Sequence, residues 1–326
     1  MNISVVCPVR NEGPYLLEWI AWHKMIGFTD ILVLSNDCTD ESDSLLDILA
    51  KSGVIRHIRH QPEEGQAPLA SAYKVAFKDK TLRHADWVMA LDADEFLQIS
   101  VGTGHVQDLI ETAGQNGIGI ALFWKTFGNN NRNHWEDGFV HEQFTHAAVS
   151  ADFPNNHYKS IFQNLRSFRR MTSHSPGGFK GEWGGQNVWV DCTGKKIKNI
   201  QLTDPANRSR AVAIRRLRHD FAQINHYAVK SDESFDLKRT KKSGASLIYR
   251  HDDEFHSTFN KNDVEDLSAV SRHAEFMVEY DKLVSDPDVL AAHHATCALY
   301  VHALCQASGR DHLTDPRYIH HHDLAT

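Results

Sequence analysis

Apolar positions along the first 125 residues fall into two alternating rhythms. Short runs rich in β-branched residues, ISVVCPV at 3–9, ILVLSND at 31–37, VIRHIRH at 54–60 and WVMALDA at 87–93, have the length and flanking turn residues of strands. Between them lie helical patterns. Gly13-Pro14 opens one in which Tyr15, Trp19, Trp22 and Ile26 share a face and Gly27 closes it, and ESDSLLDILAKSG and LASAYKVAFKDK supply two more. This alternation predicts right-handed βαβ crossovers and a parallel sheet covered on both faces. After residue 120, FWKTFGNNNRNHWEDG and SHSPGGFKGEWGGQN read as long loops over a site. VEDLSAVSRHAEFMVEYDKLV and DVLAAHHATCALYVHALCQ then predict two long amphipathic helices, so an α/β unit over 1–250 and a helical cap over 251–326 are expected.

With 326 residues, 41% of them hydrophobic, the chain can bury a full core. The net charge of −7 is mild but unevenly spread: His157 to Arg250 holds 19 Lys and Arg against 7 Asp and Glu, leaving 16 basic and 35 acidic residues elsewhere. That middle segment predicts an anion-binding region. It contains no recognisable nucleic-acid module, so no nucleic-acid partner is expected. Cys7, Cys38, Cys192, Cys297 and Cys305 include no CxxC pair and suggest neither a disulfide framework nor a zinc knuckle. A reducing cytoplasm fits them. The opening MNISVVCPVRNEGP lacks the shape of a secretory leader, and no run is apolar for long enough to span a bilayer. A location in the cytoplasm is expected, with peripheral contact at the inner membrane face left open. The 22 histidines, including HHH at 320–322, are a rich supply of possible ligands.

In open α/β sheets ligands bind at the carboxyl ends of the strands. The strand ends here read CPVRNE, SNDCTD and LDADE, which places Asn11, Asp37, Asp92 and Asp94 along one edge. Carboxylates packed that closely repel unless a cation joins them. No G-x-G-x-x-G or P-loop accompanies them, so side chains and a metal are expected to hold the ligand. Asp92 and Asp94 suit a hard divalent cation; the bland alternative is a solvated turn with Asp94 capping a helix. Arg10 could meet a phosphate or pair with Glu12 or Asp37. Lys230, Lys238, Arg239, Lys241 and Lys242 could close over a bound anion as a lid.

Four segments in order, CPVRNEGPYLLEWIAWHKMIGFTDILVLSNDCTDES, LDADEF, FWKTFG and INHYAVKSDESFDLKRTKKSG, resemble the A-fold glycosyltransferases of the family-2-like and family-92-like groups. The resemblance covers roughly residues 1–245. It implies a Rossmann-like, mostly parallel sheet with helices on both faces, a nucleotide-diphosphate sugar donor of the uridine type, a glycan or glycoconjugate acceptor, and inverting transfer aided by Mn²⁺ or Mg²⁺. It places the nucleotide against Pro8, Arg10, Asn11 and Glu12, the uracil at Asn36 and Asp37 with Asp40 left to cap a helix, and Gln66 on the pocket wall. It assigns Asp94 to the metal, Asp92 to ribose or metal, and a late histidine, His226, as second metal ligand, with His174 the alternative.

The plain ED dipeptide that many relatives carry after the acceptor loop is not evident at that place, so the catalytic base is left open. Glu142 leads the candidates, followed by Asp137, with Glu182 and Asp191 also open. Trp124, Trp135, Trp183 and Trp189 could stack on sugars or simply pack. Competing readings are a sugar nucleotidyltransferase, for which CPVRNEGPY is a poor signature, and a carbohydrate- or anion-binding protein without catalysis.

Overall fold

The computed structural model describes residues 1–149, 154–197 and 218–326. The chain runs through β1 (Ile3–Val9), α1 (Gly13–Met25), β2 (Asp30–Ser35), α2 (Ser42–Lys51), β3 (Arg56–Arg59), α3 (Pro68–Lys78), α4 (Lys80–His84), β4 (Trp87–Ala90), β5 (Glu95–Ile99) and α5 (Val106–Ala113). It continues through β6 (Gly119–Thr126), α6 (Val140–Gln143), β7 (His146–Ala147), β8 (Tyr158–Gln163), β9 (Trp189–Asp191), β10 (Ala222–His226), α7 (Asp232–Arg239), α8 (Asp253–Phe259) and β11 (Val264–Glu265). The cap helices are α9 (His273–Val284), α10 (Pro287–Ala307) and α11 (Pro316–Ala325).

The main sheet has the order β3-β2-β1-β4-β8-β6-β10-β5, with β9 beside β6. Its first four strands are parallel, as the alternating pattern predicts. Helices cover both faces because β1 is buried on both: Val5, Cys7 and Val9 face α1 and α2, whereas Val6 faces α3. The second half departs from the all-parallel expectation, since β8 runs antiparallel to β4 and β6, and β5 antiparallel to β10. β5 follows β4 after only the turn Leu91 to Asp94, yet lies at the far edge of the sheet beside β10.

That short turn also forces the sheet to curl. Three strands separate β4 from β5, a distance of about 19 Å in a flat sheet, whereas the chain from Ala90 to Glu95 reaches about 17 Å fully extended. The bend occurs along β6, whose Gly119–Phe123 half pairs with β8 and whose Trp124–Thr126 end pairs with β10. The acidic turn therefore sits at the mouth of the curl.

α1 is not the one-faced helix its periodicity suggests. Tyr15 through His23 are all buried, because α9 and α10 cover the side turned away from the sheet. At Gly13 the approach is so close that an added Cβ would lie 2.3 Å from Thr296 Cβ of α10. The indole N–H of Trp19 donates to the carbonyls of Asp92 and Glu95 at 3.2 and 3.0 Å, and that of Trp22 to Leu97 O at 2.9 Å. α1 thus pins the acidic turn from below.

The cap also differs from expectation. Val264–Glu265 is a strand on β7, so the helix predicted from residue 264 begins at His273. One apolar cluster joins Leu16 and Trp22 to Phe276, Val289 and Val301, so cap and sheet share a core. Among the described residues no helix is long and apolar enough to cross a membrane.

Candidate active site

The floor of the site answers how three carboxylates share one turn. Lys159, fully buried on β8, places its ammonium 2.9 Å from Asp92 Oδ2 and 2.8 Å from Glu95 Oε2. Glu95 Oε2 also accepts the Asp92 backbone N–H at 2.8 Å. Burial pushes Glu95 above the ordinary carboxyl range; Lys159 pulls it back only in part, and both aspartates add to the rise by repelling a further negative charge. Asp94 faces the other way, with Oδ2 accepting from Lys238 Nζ at 2.9 Å. Burial alone would raise its pKa, but Lys238, His226 and Lys230 outweigh that and hold it well below the usual carboxylate range.

The second oxygen of Asp94, Oδ1, lies 3.8 Å from His226 Nε2 at the end of β10. Burial drives the His226 pKa down to about 3 although Asp94 pulls it up, so the imidazole is neutral at pH 7. Its ring packs on Trp124, centroids 4.2 Å apart. Two donors on one divalent cation sit about 3–4 Å apart, which is the spacing of Asp94 Oδ1 and His226 Nε2. His226 Nδ1 and Asp92 Oδ1 are buried and have no hydrogen-bond partner among the described residues. Asp94 and His226 thus fit a hard divalent cation that takes its remaining ligands from phosphate and water.

These groups open into a cavity of about 480 Å³. Pro8, Val9, Arg10, Glu12 and Asn36 form the wall at the ends of β1 and β2, and Pro68 and Leu69 the start of α3. Trp124, His157, His174 and His226 line the opposite side. Lys238, Lys241, Lys242 and Arg250 bring cations from α7 and the segment after it. That segment is docked, through Lys238 on Asp94 and through the Leu69 N–H donating to Gly244 O at 3.1 Å.

Several expected site residues lie elsewhere. Asn11 spends both ends of its amide on Thr39, at 2.7 and 3.0 Å, which ties the β1 and β2 loops together. Asp37 is exposed and does not line the cavity; its carboxylate accepts from the Asn36 amide at 2.9 Å, so Asn36 is the residue presented. Asp40 caps more than expected, accepting from Ser42 N at 3.0 Å and from Gly13 N at 3.1 Å, and so joins the starts of α2 and α1. Gln66 accepts from Glu63 N within its own loop and does not line the cavity. Lys230 turns from the cavity toward Glu12, 3.9 Å away, with its ammonium 4.0 Å from the Tyr15 ring centroid.

Neither leading candidate for the base lines the cavity. Glu142, on α6, pairs with His273 at 3.2 Å, and Asp137 lies beside α10 and α11. Glu182 is exposed, and Asp191 accepts from Thr193 and Lys195 in a turn. Of the tryptophans, Trp124 alone lines the cavity.

Lys159 and His251 carry chemistry that sequence reasoning missed. Lys159 had a signal, since a lysine inside the apolar strand YKSIFQ must find an acid in the core. His251 lines the cavity, is buried, and has no partner on either ring nitrogen among the described residues. Burial, then Lys238 and Arg250, push its pKa down to about 4.

The sequence profile of glycosyltransferase family 92 matches residues 4–263, which spans the strand ends, Lys159, His226 and α7. The chain belongs to glycosyltransferase family 92. A family 92 protein of Ricinus communis is 29% identical over 125 residues, or 37% of this chain and 21% of the plant protein, so this family 92 chain spans about a fifth of that relative's length. Among solved structures, S. aureus TarS 1–349 in complex with UDP-GlcNAc is 14% identical, covering 99% of this chain and 91% of that one at a TM-score of 0.38. Glucosyl-3-phosphoglycerate synthase from Mycobacterium tuberculosis, in complex with Mg²⁺ and UDP, is 19% identical over 38% of this chain and 43% of that one, at a TM-score of 0.27.

Proposed function

We propose that this family 92 chain transfers a sugar from a uridine-type nucleotide-diphosphate donor to a hydroxyl of a glycan or glycoconjugate, with inversion in a single displacement. The observation that carries this reading is the pair Asp94 and neutral His226, 3.8 Å apart, at the mouth of a cavity rimmed by lysine and arginine. A Mn²⁺ or Mg²⁺ ion held by these two side chains would neutralise charge developing on the leaving diphosphate. Lys238, Lys241 and Arg250 add fixed positive charge on the same side. Asn36, its amide oriented by Asp37, takes the base edge, and Asp92 the ribose. Trp124 offers an apolar face to the sugar.

The acceptor proton needs a base that reaches the cavity on the face away from the leaving diphosphate.

Incubation with a panel of nucleotide sugars, with Mn²⁺ or with EDTA, tests the reading. Metal-dependent release of nucleoside diphosphate, with an inverted anomeric centre by NMR, is expected. Pyrophosphate release would instead identify a nucleotidyltransferase. Donor binding with no product from any acceptor class would identify a binding module.

A further inference from the structure

The cap holds a second cluster of ligating side chains, none of which lines the cavity. His293 and Cys297 stand one turn apart on α10, with His293 Nε2 3.7 Å from Cys297 Sγ. Asp137, from the loop before α6, completes a set whose ligand atoms all lie within 4.8 Å of one another. α11 adds His321, whose Nε2 is 3.9 Å from Asp137 Oδ2. Cys297, His321 and His293 are 0%, 1% and 5% exposed, while the Asp137 side chain is 52% exposed and leaves an entry path. Among the described residues no lysine or arginine pairs with Asp137, and His293 Nδ1 has no hydrogen-bond partner.

The buried His293 ring beside a buried thiol and a solvent-open carboxylate leaves lone pairs that a cation can take. Zinc, about 2.3 Å from sulfur and about 2.0–2.1 Å from nitrogen or oxygen, spaces tetrahedral ligands about 3.3–3.6 Å apart. The His293–Cys297 separation of 3.7 Å lies within a few tenths of that, and the three ligand atoms all lie within 4.8 Å of one another. The second shell agrees as well. His321 Nε2 stands 3.9 Å from Asp137 Oδ2, and its Nδ1 faces His294 Nδ1 at 3.0 Å, so His321 backs the carboxylate ligand.

We propose that Asp137, His293 and Cys297 form a three-ligand zinc site, its fourth position left to water, that staples α10 to the loop entering α6. Zinc displaces the Cys297 thiol proton to solvent and forms one bond to each of the three donors. A donor set with thiolate and imidazole selects zinc over the hard cation suited to Asp94. The site is independent of the sugar-transfer reading of the cavity.

The test is metal analysis of the untagged full-length chain by mass spectrometry. About one zinc per chain is expected, retained after dialysis against excess Mn²⁺. Replacement by Co²⁺ should give a thiolate charge-transfer band in the near ultraviolet and tetrahedral d–d bands, all lost in Cys297→Ser. Asp137→Asn, a conservative change at a half-exposed position, carries the test if Cys297→Ser fails to fold; its zinc affinity should drop about 10-fold or more. His320→Asn with His322→Asn, two exposed positions, should keep the metal. Zinc that is absent from the wild type, or that follows His320 and His322 rather than Cys297 and Asp137, overturns the proposal.

Discussion

The two places where this chain gathers ligating side chains differ in what balances their charge. At the strand ends, Asp92, Asp94 and Glu95 are matched by two lysines of the chain itself, Lys159 beneath and Lys238 beside them. That arrangement holds its geometry without a metal, and it leaves Asp94 Oδ1 and His226 facing an open cavity. In the cap, Asp137, His293 and Cys297 come within 4.8 Å of one another, with no lysine or arginine paired to Asp137 among the described residues. The contrast separates two uses of a cation. A site compensated by lysines suits an ion that comes and goes with a diphosphate, whereas an uncompensated one needs a resident ion.

The largest expected effect would break the comparison outright. Asp94→Asn should lower turnover about 10³-fold or more, roughly 4 kcal/mol of transition-state stabilisation, with zinc content and circular dichroism unchanged. Metal-dependent turnover at the wild-type rate would show that Asp94 does not hold the cation. Next, Lys159→Met should destabilise the fold by about 3 kcal/mol or more, because Asp92 and Glu95 lose a buried counter-charge. Urea titration measures it, and adding Glu95→Gln should recover part of the loss; no recovery would mean that Lys159 acts through packing.

A third effect arises on α1, between sheet and cap. His23 is fully buried, its Nδ1 2.7 Å from Trp19 O, and burial pushes its pKa down to about 3. Below about pH 6.5 the unfolded chain binds a proton there that the folded chain refuses, so this contribution to stability is complete above pH 6.5 and is lost progressively as pH falls. By pH 4 the loss should approach about 3 kcal/mol, and His23→Gln should flatten the pH dependence of the melting temperature. An unchanged slope would place the acid sensitivity elsewhere. The smallest effect sharpens the nucleotide end of the cavity: Asn36→Ala should weaken UDP binding by about 1 kcal/mol, and Asp37→Asn by less, since Asp37 acts through the Asn36 amide. Calorimetry in which Asp37→Asn costs more than Asn36→Ala would reverse those roles.

Much of the first half of the fold is legible from residue order. ISVVCPV and ILVLSND are strands and LASAYKVAFK a helix in both pattern and structure, because burial imposes its period on neighbouring positions. LDADE signals its chemistry by the same logic, since acids directly after an apolar strand demand a partner. The identity of that partner is not local. Lys159 and Lys238 lie 67 and 144 positions from the aspartates they meet, and the register of β8 and the docking of α7 bring them together. The same holds for the misplaced candidates. Glu142 and Asp137 follow the right strand in sequence, yet the chain carries them to the cap because Glu18 on α1 accepts the N–H groups of Val140 and His141 at 2.7 and 3.0 Å. α1 itself shows one apolar stripe in its sequence but is buried all round, since α9 and α10 arrive from more than 240 residues later. By itself, then, the sequence determined the parallel strands, their crossover helices and the acidic turn, which depend on contacts between near neighbours. Only the tertiary structure decided which cation meets which acid, which histidine faces Asp94, and that Asp137, His293 and Cys297 converge, because those depend on how distant segments pack.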